Sequence, residues 1–135
     1  MKDQNETAVL TELARSTIEQ LANMPQPIVR VCGPLTTGGL GYEENARRLA
    51  RAEAVLTEKG YTVFRFGDAE ASIQGKAFSH EVIMTVFHEP ILVSGLIAEA
   101  FFLPHWNESK GATIERDLCA TYSITIAEFP EEWFS

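Results

Sequence analysis

The sequence predicts a single-domain α/β fold: a parallel sheet of roughly four to five strands flanked by helices, with an extra helix at the N-terminus. Three observations carry this. Short apolar runs rich in Val, Ile and Phe alternate with longer stretches of helical periodicity. Glycines and prolines fall between them, where turns are needed. The first strand, helix and second strand follow one another closely enough to form a βαβ crossover, which makes the strands parallel.

Residues 1–24 hold the added helix. From Glu6 to Asn23, Leu10, Leu13, Thr17, Ile18 and Leu21 recur on one helical face, and Pro25 and Pro27 end the run. Residues 25–135 form the α/β domain. Ile28–Cys32 reads as a central strand, broken by Gly33-Pro34 and followed by a loop containing Gly38, Gly39 and Gly41. Tyr42–Lys59 is rich in Ala, Leu, Glu and Arg and reads as a helix closed by Gly60. Tyr61–Phe66 is a second strand and Asp68–Lys76 a polar loop. Between Phe78 and Ile97 the pattern is mixed. Val82–Phe87 is strand-like, but Pro90 suits the first turn of a helix running to Ile97, and a helix is expected. Ala100–Leu103, Gly111–Tyr122 and Ser123–Ala127 complete the alternation as strand, helix and strand. Phe129, Trp133 and Phe134 give the tail apolar side chains that would dock on the body or on a neighbour. The arrangement is flavodoxin-like or Rossmann-like. In such sheets ligands bind at the carboxyl ends of the strands, which brings Gly33–Gly41, Gly67-Asp68 and Pro104–Gly111 to one edge.

Composition narrows the partners. A net charge of −8 opposes binding to a nucleic acid polymer, whose phosphates it would repel. A small anion is still accessible to a few backbone N–H groups and one Arg. Cys32 and Cys119 read as buried free thiols, which suits a reducing cytoplasm. His80, His88 and His105 have no metal-ligand spacing, and no metal or organic cofactor is expected. The polar start of the chain does not read as a signal peptide, and no apolar run reaches the roughly 18 residues that span a bilayer, so no membrane partner is expected.

Two segments could carry chemistry. In Gly33–Gly41 the glycines would let a ligand approach the backbone ahead of a helix N-terminus, or would simply form a turn. The spacing fits neither a Walker loop nor a dinucleotide fingerprint. In the segment from His105 to Glu115, Ser109 would cap the next helix or offer its hydroxyl to a ligand. Gly111 and Ala112 keep that helix end open. Glu115 lies about one turn in, with Leu118, Cys119 and Tyr122 at i+3, i+4 and i+7. A carboxylate on that face is costly unless it is functional or paired, and a margin position or a structural ion pair is the plainer alternative. Arg116 and Asp117 fall off that face, toward solvent. Trp106 is a packing residue or a wall for a base, and His105 is most simply a loop residue.

Together these pieces resemble the nucleoside 2-deoxyribosyltransferase superfamily, and in particular a small phage and bacterial branch of it. IVRVCGP, Ile28 to Pro34, is similar to that family's first strand and Gly-Pro turn. Asn45 and Gly60 match the Asn that opens the branch's next helix and the Gly that ends it. FFLPHWNESKGATIERDLCATYSITI, Phe101 to Ile126, resembles the signature Leu-Pro-x-Trp-x-x-Ser-x-Gly-x-x-x-Glu. The resemblance implies that Glu115 is a nucleophile attacking C1′ of a 2-deoxyribosyl group. It implies that Ser109 and Gly111 hold the sugar's 5′ end or phosphate, that Gly33 and Pro34 line the base side, and that His105 and Trp106 border the pocket. Family members carry an Asp before the third strand and another on the preceding helix. The nearest acids here are Glu99 and Glu89, with Asp68 a third candidate, so the general acid is unassigned. Arg65-Phe66 stands where an Asn-Pro is usual, and Arg65 would favour a phosphate or pair on the surface.

The expected function is cleavage or exchange of the N-glycosidic bond of a deoxynucleoside or deoxynucleotide. A nucleotide-binding module without catalysis, serving as sensor or carrier, is the alternative, and an interaction scaffold a third. A small-molecule nucleoside or nucleotide is the expected partner. Homo-oligomerisation is expected too, since subunits of the family complete one another's sites.

Overall fold

A computed structural model describes residues 2–35, 38–65 and 79–134. Helix α1 (Lys2–Ala22) leads into strand β1 (Ile28–Cys32), helix α2 (Tyr42–Glu58) and strand β2 (Thr62–Phe64). A helical segment, α3, spans residues 80–93, with a π-helical middle at Ile83–His88 and a regular end at Glu89–Val93. Strand β3 (Ile97–Phe102), a 3₁₀ turn (Trp106–Glu108), helix α4 (Lys110–Thr121), strand β4 (Thr125–Glu128) and a final 3₁₀ turn (Glu131–Phe134) complete the chain. The four strands are all parallel, in the order β2-β1-β3-β4. The parallel sheet with flanking helices is the architecture that the alternation predicts, and its strand order is flavodoxin-like. Its switch point lies between β1 and β3, where successive crossovers leave in opposite directions.

The strand pleat sorts β1 into two faces. Ile28 and Cys32 pack with α1, α3 and α4 through Leu10, Leu21, Phe87, Ile91, Leu92, Phe102 and Cys119. Val29 and Val31 pack with α2 and the tail through Val55, Leu56, Phe101, Leu103 and Phe129. The apolar stripe of α1 is therefore spent inside its own chain: Leu10, Ala14 and Leu21 are buried there, with Thr17. The tail also docks on the body. The Phe129 ring stands 5.3 Å from Trp133 and 4.9 Å from Phe134, and Arg48 lies over the Phe134 ring. Among the described residues, no helix is long and apolar enough to cross a membrane.

Several boundaries differ from the sequence reading. The helix expected to run to Ile97 ends at Val93, and Gly95, at φ +82°, turns the chain into a third strand that begins at Ile97 rather than Ala100. Pro90 sits inside the helical segment. Just before it, the Glu89 N–H reaches back five residues to the Met84 carbonyl, the wide spacing of a π turn. The second strand is shorter than expected and stops at Phe64, and the fourth begins at Thr125.

Candidate functional site

Position 30 is where the sheet departs from a plain hydrophobic interior. Arg30 shares the face of Ile28 and Cys32, and only 2% of it is exposed. The parallel register sets Phe64 on one side of it and Ala100 on the other. The guanidinium lies over the Phe64 ring, 5.2 Å from its centroid, while the small Ala100 leaves room beside it.

Helix α4 crosses this face as it connects β3 to β4. Ser109 caps it, its Oγ accepting from the Ala112 N–H at 3.1 Å, and that fixes the first turn. One turn further on, Glu115 is buried and faces down onto the sheet. Its Oε2 lies 2.9 Å from Arg30 Nη2, with both side chains under a tenth exposed. His88, buried at the end of the π-helical turns of α3, brings Nδ1 to 3.3 Å from the same Nη2 and 4.0 Å from Glu115 Oε2. Arginine can only donate, so Nδ1 accepts in this contact and a neutral His88 carries its proton on Nε2.

Cys32 and Cys119 close the cluster. Burial pushes the Cys32 thiol far up, and the neighbouring Glu115 carboxylate, to which the thiol is hydrogen-bonded, adds to the shift while Arg30 opposes it. Burial likewise pushes Cys119 up to about 11, against the pull of Arg30. Burial is the largest influence on Arg30 and would lower its pKa, but Glu115, Cys32, Cys119 and Glu53 together outweigh it and the net direction is upward. Both thiols therefore stay protonated and unreactive at neutral pH. A thiol reagent at about pH 8 should label neither cysteine in the folded protein and both after denaturation. Fast labelling of the native chain would mean that the cluster is open. An unfolded thiol ionises near 8.5, whereas native Cys119 holds its proton to about 11. Over that window the unfolded chain binds fewer protons, so stability should fall as pH rises.

The second cluster lies at the switch point. The Leu103 N–H donates to the Cys32 carbonyl at 2.9 Å, which continues the β1–β3 pairing into the loops beyond. Gly33 is a close-packed position, where a Cβ would come within 2.9 Å of Leu103. Asn45, buried at the start of α2, organises the glycine loop. Its Nδ2 donates to the Leu35 and Gly38 carbonyls and its Oδ1 accepts from the Leu40 N–H, all at 3.0 Å. Gly38 and Gly39, at φ +71° and +68°, lie against Glu108 and Asn45 with no room for a side chain. The Gly39 N–H donates to Glu108 Oε1 at 3.2 Å, and Glu108 Oε2 meets His105 Nδ1 at 2.9 Å. The β1 and β3 loops thus form one unit around a cleft lined by Pro34, Gly39, Leu40, Asn45, Arg48, Leu103, Pro104 and His105. Replacing Asn45 by Ala should cost about 1–3 kcal/mol, since it removes three hydrogen bonds that hold the loop backbone. The urea midpoint should fall at unchanged slope, and an unchanged midpoint would mean that the loop does not depend on this side chain.

The structure brings some of the expected residues together and separates others. Glu115 and Ser109 share α4, and Gly33, Pro34, Asn45 and His105 gather at the cleft. Gly111 is half-buried in the first turn of α4. Trp106 takes its packing role, edge-on to Phe102 at 5.8 Å with Arg116 over its ring at 4.2 Å. Arg116 is accordingly not simply solvated: it lies on these rings and pairs with Glu128 at 2.9 Å. Glu99 pairs in register with Val29, on the sheet face opposite Arg30 and Glu115. Glu99 therefore does not stand beside the Glu115 carboxylate. Glu89 meets the Tyr122 hydroxyl at 3.5 Å, and Tyr122 is two turns beyond Glu115, about 10 Å along the helix. Asp68 lies outside the described residues, and Arg65 is exposed.

Sequence reasoning passed over Arg30 and His88. Both left a signal: a charge at the centre of an apolar strand, and a His on the stripe Met84, Phe87, Ile91, Leu92. The chain matches no family model, no curated protein and no solved structure.

Proposed function

We propose that the chain cleaves or exchanges the N-glycosidic bond of a deoxynucleoside or deoxynucleotide, with Glu115 as nucleophile. One observation carries the reading. A buried carboxylate stands one turn into the helix that leaves the β3 edge, ion-paired to an Arg on the central strand. The Arg30 guanidinium lies against the Glu115 carboxylate in a buried place with little water to compete, an arrangement that suits a carboxylate nucleophile.

The chemistry follows that of a retaining glycosidase. A Glu115 oxygen bonds to C1′ as the C1′–N bond breaks, and the electron pair leaves with the base. A second base, or water, then attacks C1′ and releases the carboxylate. Arg30 orients Glu115. The cleft at the switch point, with Gly33 and Pro34 at its wall and His105 at its rim, takes the base side, while Ser109 and Gly111 border the 5′ end. His88 Nδ1 stands 4.0 Å from the carboxylate.

The test is chromatography of the protein incubated with deoxynucleosides and their monophosphates, with and without a second free base. Release of base supports hydrolysis, and exchange supports transfer. No change in any substrate would favour binding without catalysis. That second reading draws on the same cluster: Glu115 is closely held, and Glu99 lies on the opposite sheet face.

A further inference from the structure

Arg30 has more donors than the described residues take. Its Nη2 serves Glu115 and His88, but Nε and Nη1 are buried without a hydrogen-bond partner among the described residues. Buried donors are nearly always met in native proteins, by protein, water or ligand. Charge decides which kind of acceptor fits. Arg30 and Glu115 already neutralise one another, so a second anion would leave a net negative charge in a buried place. A neutral oxygen suits the remaining N–H groups better.

We propose that Arg30 reads the sugar: its Nε–H, on the Nη2 side of the guanidinium that meets Glu115, donates to the 3′-hydroxyl of a bound 2-deoxyribosyl ring. The proposal rests on the reading of Glu115 as nucleophile, and ring stereochemistry supplies the rest. An in-line displacement at C1′ brings the carboxylate to the face opposite the departing base. In a β-nucleoside the base and the 5′ carbon share one face, and the 3′-hydroxyl lies on the other. A guanidinium 2.9 Å from the attacking carboxylate would share the ring face that carries the 3′-oxygen, opposite the base and the 5′ carbon. Arg30 is thus a specificity residue for a free 3′-hydroxyl.

The test compares the four common 2′-deoxynucleosides with their 2′,3′-dideoxy counterparts. Calorimetric affinities are measured on Glu115→Gln, which binds without turnover and keeps Arg30. The deoxynucleoside should bind on the order of 10- to 100-fold more tightly than its dideoxy partner, the range of one charge-assisted hydrogen bond. The double variant Arg30→Met/Glu115→Leu, which keeps the volume of the pair, should lose that preference. Equal affinities in Glu115→Gln, or a preference that survives in the double variant, would overturn the proposal alone. If the wild-type protein neither binds nor cleaves any of these nucleosides or their 5′-monophosphates, the glycosidic reading fails and the proposal falls with it.

Discussion

Arg30→Met should destabilise the protein by about 3–5 kcal/mol, because it leaves the buried Glu115 carboxylate without its guanidinium. Glu115→Ala should cost a similar amount by stranding the cation. Against a total of roughly 5–15 kcal/mol, either loss is large enough to threaten folding. The double variant Arg30→Met/Glu115→Leu should recover most of the loss, or exceed the wild type by about 1–4 kcal/mol, since apolar side chains of similar volume avoid the desolvation of two charges. Denaturant unfolding of the four proteins closes a double-mutant cycle, and a strong coupling term is expected. Single variants within about 1 kcal/mol of wild type would mean that the pair does not form as a buried contact in solution.

Glu115→Gln should fold and lose base release. The amide keeps the side chain's volume, and its oxygen still accepts from Arg30, so the network survives in weaker form. It cannot form the sugar ester, and the rate should fall on the order of 10³-fold or more. This substitution separates chemistry from stability, which Glu115→Ala does not. An active, well-folded Glu115→Gln would remove Glu115 from the mechanism.

A carrier that binds the sugar would be expected to keep a polar anchor here too. The distinction between enzyme and binder therefore lies in turnover. The cluster would differ in consequence: a binder needs only the Arg30 donors, whereas catalysis needs the carboxylate itself.

The fold was readable because period and punctuation agree along most of the chain. The stripe from Leu10 to Leu21, the short run Ile28–Cys32 and the Gly60 turn each specify their element locally, and the βαβ rule then makes the sheet parallel. The segment around Pro90 was harder. Its β-branched residues favour a strand locally, and only packing against α1 resolves them into a helix. Ser109 was legible as a cap or a ligand's hydroxyl, and for Glu115 a structural ion pair was among the plainer alternatives, which is the contact it makes. Its partner was not legible, because Arg30 and Glu115 are 85 positions apart and only the sheet register and the α4 crossover bring them together. The same register separates Glu99 from Glu115 by sending its side chain to the opposite face. Asn45 entered the sequence reading only through a resemblance. The structure gives it a nearer task, holding the glycine loop against α2.

The central claim is that Glu115 forms a bond to the sugar. Rapid quenching of the protein with excess deoxynucleoside, followed by mass spectrometry of its peptides, tests this directly. The account predicts a mass increase of one deoxyribosyl unit on the peptide carrying Glu115, absent in Glu115→Gln. Turnover that leaves that peptide unmodified at every quench time, or places the sugar on another residue, would contradict it.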